Sequence, residues 1–154
     1  MENMHLGLCL KFILGKRGMS MPIESIKDSF QDIGKTREEV NLKLNDFLRN
    51  FGLRSEYQSP YVTYETDIIL KDGLASRNDI LVAYNQRKLF NNSLDLTEKK
   101  FSIITAYETL SDRVTLINPP SISQESSIGI RNLNDAIRIS EDPRFGFYVV
   151  EPNL

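Results

Sequence analysis

Phe101-Ser-Ile-Ile-Thr-Ala-Tyr107 and Arg113-Val-Thr-Leu-Ile-Asn118 stand on either side of the short connection Glu108 to Asp112. Both runs are rich in β-branched and aromatic residues, which suit a pleated, half-buried surface. Pro119-Pro120 ends the second, because proline has no N–H to give a ladder. A connection this short joins antiparallel neighbours, so the pair reads as a hairpin. Working outward, Asp79-Ile-Leu-Val-Ala-Tyr84 is a further run of the kind found at the centre of a sheet, and Gly146-Phe-Tyr-Val-Val150 is a last strand. Leu53 to Tyr57 is short and extended, whereas Tyr61 to Leu70 fits a strand or a helix and stays open.

Ahead of these strands the spacing turns helical. Leu6, Cys9, Leu10, Ile13 and Leu14 share one side of a helix ended by Gly15 or Gly18. Pro22 suits a first helical position, and Ile23, Ile26 and Phe30 recur at three and four residues before Gly34. Thr36 with Glu39 forms a capping-box pattern, and Val40, Leu44, Phe47, Leu48 and Phe51 make a stripe closed by Gly52. Glu38 and Glu39 complement that helix's dipole. Asn132 to Ile139 is a late helix with Leu133, Ala136 and Ile137 inward. Helices first and then mostly strands favour an α+β fold over an alternating parallel sheet. The 154 residues, without an internal repeat or a long linker, form a single domain over 1–154.

Composition excludes several function classes. Hydrophobic residues are 40% and charged residues 26%, the balance of a folded, water-soluble domain. A formal net charge of −2 lacks the basic excess that phosphate neutralisation needs, so no nucleic acid is expected. One cysteine and one histidine exclude an intramolecular disulfide and the usual zinc site, and no carboxylate loop of calcium-binding type is present; no metal and no cofactor are expected. The opening segment is too short for a membrane span and lacks the features of a signal peptide, so a cytoplasmic protein without a membrane span is expected.

The order of elements resembles the papain-like fold, in the version of the bacteriocin-leader-processing cysteine peptidases, whose helices pack on an antiparallel sheet. The likeness is carried by His5-Leu-Gly-Leu-Cys-Leu-Lys-Phe-Ile-Leu-Gly-Lys-Arg-Gly18, Met21-Pro-Ile-Glu-Ser-Ile26, Asn45-Asp-Phe-Leu-Arg-Asn-Phe-Gly-Leu53, Asp79 to Tyr84, Lys100 to Tyr107 and Val114-Thr-Leu-Ile-Asn-Pro119. Even the tail, Asn132 to Val150, is similar to the family's closing helix and strand. The likeness lies in apolar positions and turn glycines rather than in a signature motif.

The resemblance puts His5 at the family's nucleophile position and Cys9 at a second, small residue one turn later. It puts Lys100 where the general-base histidine belongs, directly before Phe101, and Asn118 at the orienting aspartate. No glutamine precedes His5 to supply the oxyanion hole. Thiol catalysis needs a thiolate beside an oriented imidazole and donors aimed at the oxyanion, and all four roles are vacant here. The resemblance therefore implies a non-catalytic domain that binds a peptide or protein segment in a degenerate cleft at His5, Cys9, Lys100 and Asn118. The rival is an active thiol peptidase or acyltransferase using Cys9 in a shifted register, since His5 and Cys9 share a helix face at a spacing of four. Against it, a lone cysteine is more often a small core residue. A third reading places the true nucleophile region upstream of Met1.

Two weaker patterns complete the reading. Asn91-Asn92-Ser93 is a glycosylation acceptor pattern with no secretion signal to make it meaningful. Arg87-Lys88 with Lys99-Lys100 reads as a solvated basic face, or as a small patch for an acidic peptide.

Overall fold

The computed structural model describes residues 2–86, 99–119, 121–138 and 142–153. The glycosylation pattern and Arg87-Lys88 lie outside the described residues.

Three helices open the chain: α1 (Glu2–Lys16), α2 (Ile23–Ser29) and α3 (Arg37–Leu48). α1 runs through Gly15 and stops at Gly18, whose φ of +74° permits the reversal. There Met19 N–H donates to Leu14 O at 2.9 Å and Gly18 N–H to Gly15 O at 3.1 Å, which satisfies the last carbonyls of the helix. Thr36 caps α3 by accepting from Glu39 N–H at 3.2 Å, while the Glu39 carboxylate accepts from Lys35 N–H, one residue further back than a capping box requires. A 3-10 turn, Arg49–Phe51, extends α3 to Gly52, whose φ of +69° swings the chain into β1 (Leu53–Gln58).

The open segment becomes helix α4 (Thr63–Ala75). Glu65 caps it by accepting from Tyr61 N–H and Val62 N–H, and Thr66, Ile69, Leu70 and Gly73 form its buried side. β2 (Asp79–Asn85), β3 (Lys99–Glu108), β4 (Arg113–Asn118), β5 (Ser121–Gly129), α5 (Ile130–Arg138) and β6 (Gly146–Pro152) follow. The expected hairpin is β3–β4. β5 pairs antiparallel beyond β4 as an edge strand; its Ser-rich run carries too little apolar alternation to announce a strand.

The six strands form one antiparallel sheet in the order β1-β6-β2-β3-β4-β5. Register fixes what each face meets. Asp79, Leu81 and Ala83 lie level with Val150, Tyr148, Ile103 and Phe101, and this face is covered by α1 and α3, with α2 packed on α1. Ile80, Val82 and Tyr84 lie level with Lys100, Ser102 and Ile104 on the other face, under α4 and α5. Gly73 shows how closely α4 sits: a Cβ there would meet Ile80 Cδ1 at 2.7 Å. Helices on both faces explain why every residue of β2 is buried although the sheet is antiparallel. Leu6, Leu10, Ile13 and Leu14 join one continuous core with the sheet, each contributing about 1.5–3 kcal/mol by burial. The molecule is thus α+β, with five α-helices and a six-stranded antiparallel sheet among the described residues.

Candidate functional site

α1 runs antiparallel to β2. At its carboxyl end Lys16 Nζ lies 2.7 Å and Arg17 Nη2 3.0 Å from the buried carboxylate of Asp79, the first residue of β2. This ion pair pins the helix along the strand, and so carries the amino-terminal half of α1 to the sheet end where β2 leaves, β3 begins and β4 stops. His5, Cys9, Lys100 and Asn118 all belong to that end.

They do not share one face. Cys9 is buried between α1 and the sheet, and its thiol donates to Phe101 O at 3.7 Å. His5, one turn earlier, is partly buried, with Nδ1 inside. Lys100 lies level with Tyr84, and Asn118 is two residues beyond Leu116, which lies level with Ile104; strand alternation puts both on the α4 side. There Ser102 Oγ donates to the Asn118 side-chain oxygen. That spends the only Ser102 proton, so the Tyr84 hydroxyl donates to Ser102 Oγ across 2.8 Å. The result is a buried hydroxyl relay, Tyr84 to Ser102 to Asn118, on one face and a thiol on the other, with the sheet between them.

Electrostatics decides what these groups can do. Burial pushes the Cys9 thiol up to about 12, and the Lys100 ammonium, acting in the lowering direction, only partly offsets it. At neutral pH the sulfur is a protonated hydrogen-bond donor, not a nucleophile. Burial likewise raises the Tyr84 phenol, against the lowering effect of its bond to Ser102, so the relay is neutral. Tyr84 and Ser102 were not singled out by sequence reasoning. The signal available was their alternation with apolar residues, a polar side chain inside a run such as Asp79 to Tyr84 that needs a buried partner.

Among the described residues no three His, Cys, Asp or Glu side chains group to hold a metal ion, and no helix is long and apolar enough to cross a membrane. No protein-family model matches the chain, and no curated protein matches it significantly.

Proposed function

We propose that the chain is a non-catalytic, papain-like binding domain, and that the sheet end formed by α1, β2, β3 and β4 receives a peptide or protein segment. The observation that carries the non-catalytic half is Cys9: its thiol is spent on Phe101 O, buried, and pushed up to about 12. Asn118 adds support, since its side-chain oxygen accepts from Ser102 and offers no charge to an imidazolium. For the binding half, the support is placement: Lys100 is only half-buried at this end, close enough to act on the Cys9 thiol, and brings a cation and three donors to a segment's carbonyls or carboxylate. A cytoplasmic location belongs to the same proposal, and a free, buried cysteine agrees with a reducing compartment.

Two measurements test this. A peptidyl electrophile should label Cys9 no faster in the folded chain than the rate of local opening allows; rapid, stoichiometric labelling with turnover of an acyl substrate would restore the active-enzyme reading. A peptide ending in Gly-Gly, the cleavage signal of the family that the chain resembles, should perturb the amide resonances of Asn85, Lys100 and Asn118, and Lys100→Glu should abolish the effect. Saturable binding that ignores Lys100→Glu sinks the cleft.

A further inference from the structure

Apart from Leu42 on α3 (63%), the large apolar side chains exposed among the described residues fall in two segments. Tyr61 (69%) and Val62 (53%) lead into α4, Tyr64 (71%) and Ile68 (40%) lie in its first turns, and Leu110, 98% exposed, sits in the β3–β4 turn. Clustering of this kind marks an interaction surface, whereas scattered exposure is ordinary. Beside it lies a concavity of about 550 Å³, lined by Val62, Tyr64 and Tyr107 together with the carboxylates of Asp67, Asp112 and Asp135. Arg131 is the one cation in its lining, and Lys71 pairs with Asp67 from the next turn of α4.

The acids are held in different ways. Asp67 accepts from the Tyr107 hydroxyl and pairs with Lys71 at 2.9 Å, which holds its carboxyl below the usual carboxylate range. Asp112 has a left-handed backbone with φ of +54°, and its carbonyl accepts from Ile130 N–H at 2.9 Å, which ties the turn to α5. The side chains of Asp112 and Asp135 are exposed and make no hydrogen bond or ion pair among the described residues. The three carboxylates are too dispersed to hold a metal ion. Dispersed acids beside aromatic faces match an extended cation with apolar neighbours.

We propose that this surface docks a basic segment of another protein, with Arg or Lys in the acidic concavity and an adjoining apolar residue on Tyr64 and Val62. Charge complementarity selects that occupant: the concavity offers carboxylates with unused acceptor capacity, and the apolar rim excludes water around the pair. The surface is at the turn end of the β3–β4 hairpin, away from Lys100 and Asn118 at the other end, so it stands independently of the function proposed above.

The test is a titration of the isotopically labelled full chain with a short synthetic peptide alternating arginine and leucine, followed by nuclear magnetic resonance, with a glutamate–leucine peptide as control. Saturable shifts at Tyr64, Asp112 and Asp135 with the arginine peptide alone are expected, weakening with added salt. Asp112→Asn with Asp135→Asn should lower affinity about three- to tenfold, and Tyr64→Ala about tenfold, with unchanged thermal unfolding. The proposal fails if nothing saturates, if the glutamate peptide binds equally, or if the carboxamide variants bind as the parent does. It fails equally if the same resonances shift with protein concentration alone, since the surface is then covered by a second copy.

Discussion

Cys9 is a core residue before it is anything else. With its thiol pushed up to about 12, the thiolate fraction at neutral pH is negligible, so native-state alkylation should keep rising with pH well beyond the range where an ordinary thiol, near about 8.5, has levelled off. A labelling rate that plateaus near neutrality would contradict the burial. Asp79 is the second residue that matters, because it locks α1 to β2 from a buried position. Asp79→Ala removes the carboxylate from two cations, of which Lys16 is half-exposed; a loss of about 1–3 kcal/mol is expected, below the cost of breaking a fully buried pair. Denaturant unfolding measures it, and a change under about 0.5 kcal/mol, the range of ordinary surface substitutions, would mean that the ion pair is ornamental.

At the level of elements, α4 and its seat on β2 make the sharpest case. Gly73 has no room for a methyl group, since Ile80 Cδ1 and Cγ1 would stand 2.7 and 3.1 Å from it. Gly73→Ala gains about 1 kcal/mol of helix propensity but forces Ile80 to move, whereas Gly73→Val gains less propensity and overpacks further, at about 1–3 kcal/mol. Ile80→Val should be costly alone and should rescue part of Gly73→Val, a non-additivity read from a double-mutant cycle. Strict additivity would show that the helix does not bear on the strand there. The end of α1 offers a cleaner comparison. At Gly18 a Cβ meets nothing within 4 Å but φ is +74°, so Gly18→Ala should cost about 1 kcal/mol from backbone strain alone.

For the whole molecule, the sheet is a wall between two helical layers, joined on the α4 side by side-chain bonds. Thr66 donates to Asn134 at 2.9 Å between α4 and α5, and Tyr107 ties β3 to Asp67. The Asp67 carboxyl is lowered, first by the Tyr107 hydrogen bond and then by that of Lys71. A lowered carboxyl stabilises the fold fully above its unfolded pKa, about 3.9, and loses that contribution as pH falls through the lower folded value. Tyr107→Phe removes the largest cause, so its unfolding midpoint should depend less on pH than the parent's between about pH 5 and about pH 2. Parallel acid limbs in the two proteins would show that this hydrogen bond does not set the shift.

The sequence by itself determined the local elements that carry their own signals. Thr36 and Gly52 bracket α3, Gly15 or Gly18 bounds α1, and the Phe101 to Asn118 hairpin is written in β-branched runs and a double proline, because caps, turns and alternation are short-range effects. It left α4 open, since Tyr61 to Leu70 mixes two periods until Gly73 and Ile80 meet, and it passed over β5, which is a strand only because β4 offers an edge. The candidate positions were legible as positions, but not the side of the sheet that each faces. Only the tertiary structure decided that Cys9 points into one layer while Asn118 bonds Ser102 in the other, and that exposed Tyr64 of α4 borders Asp112 of a distant turn and Asp135 of α5. Faces and concavities arise from long-range strand register and helix docking, and no local window of residues encodes those.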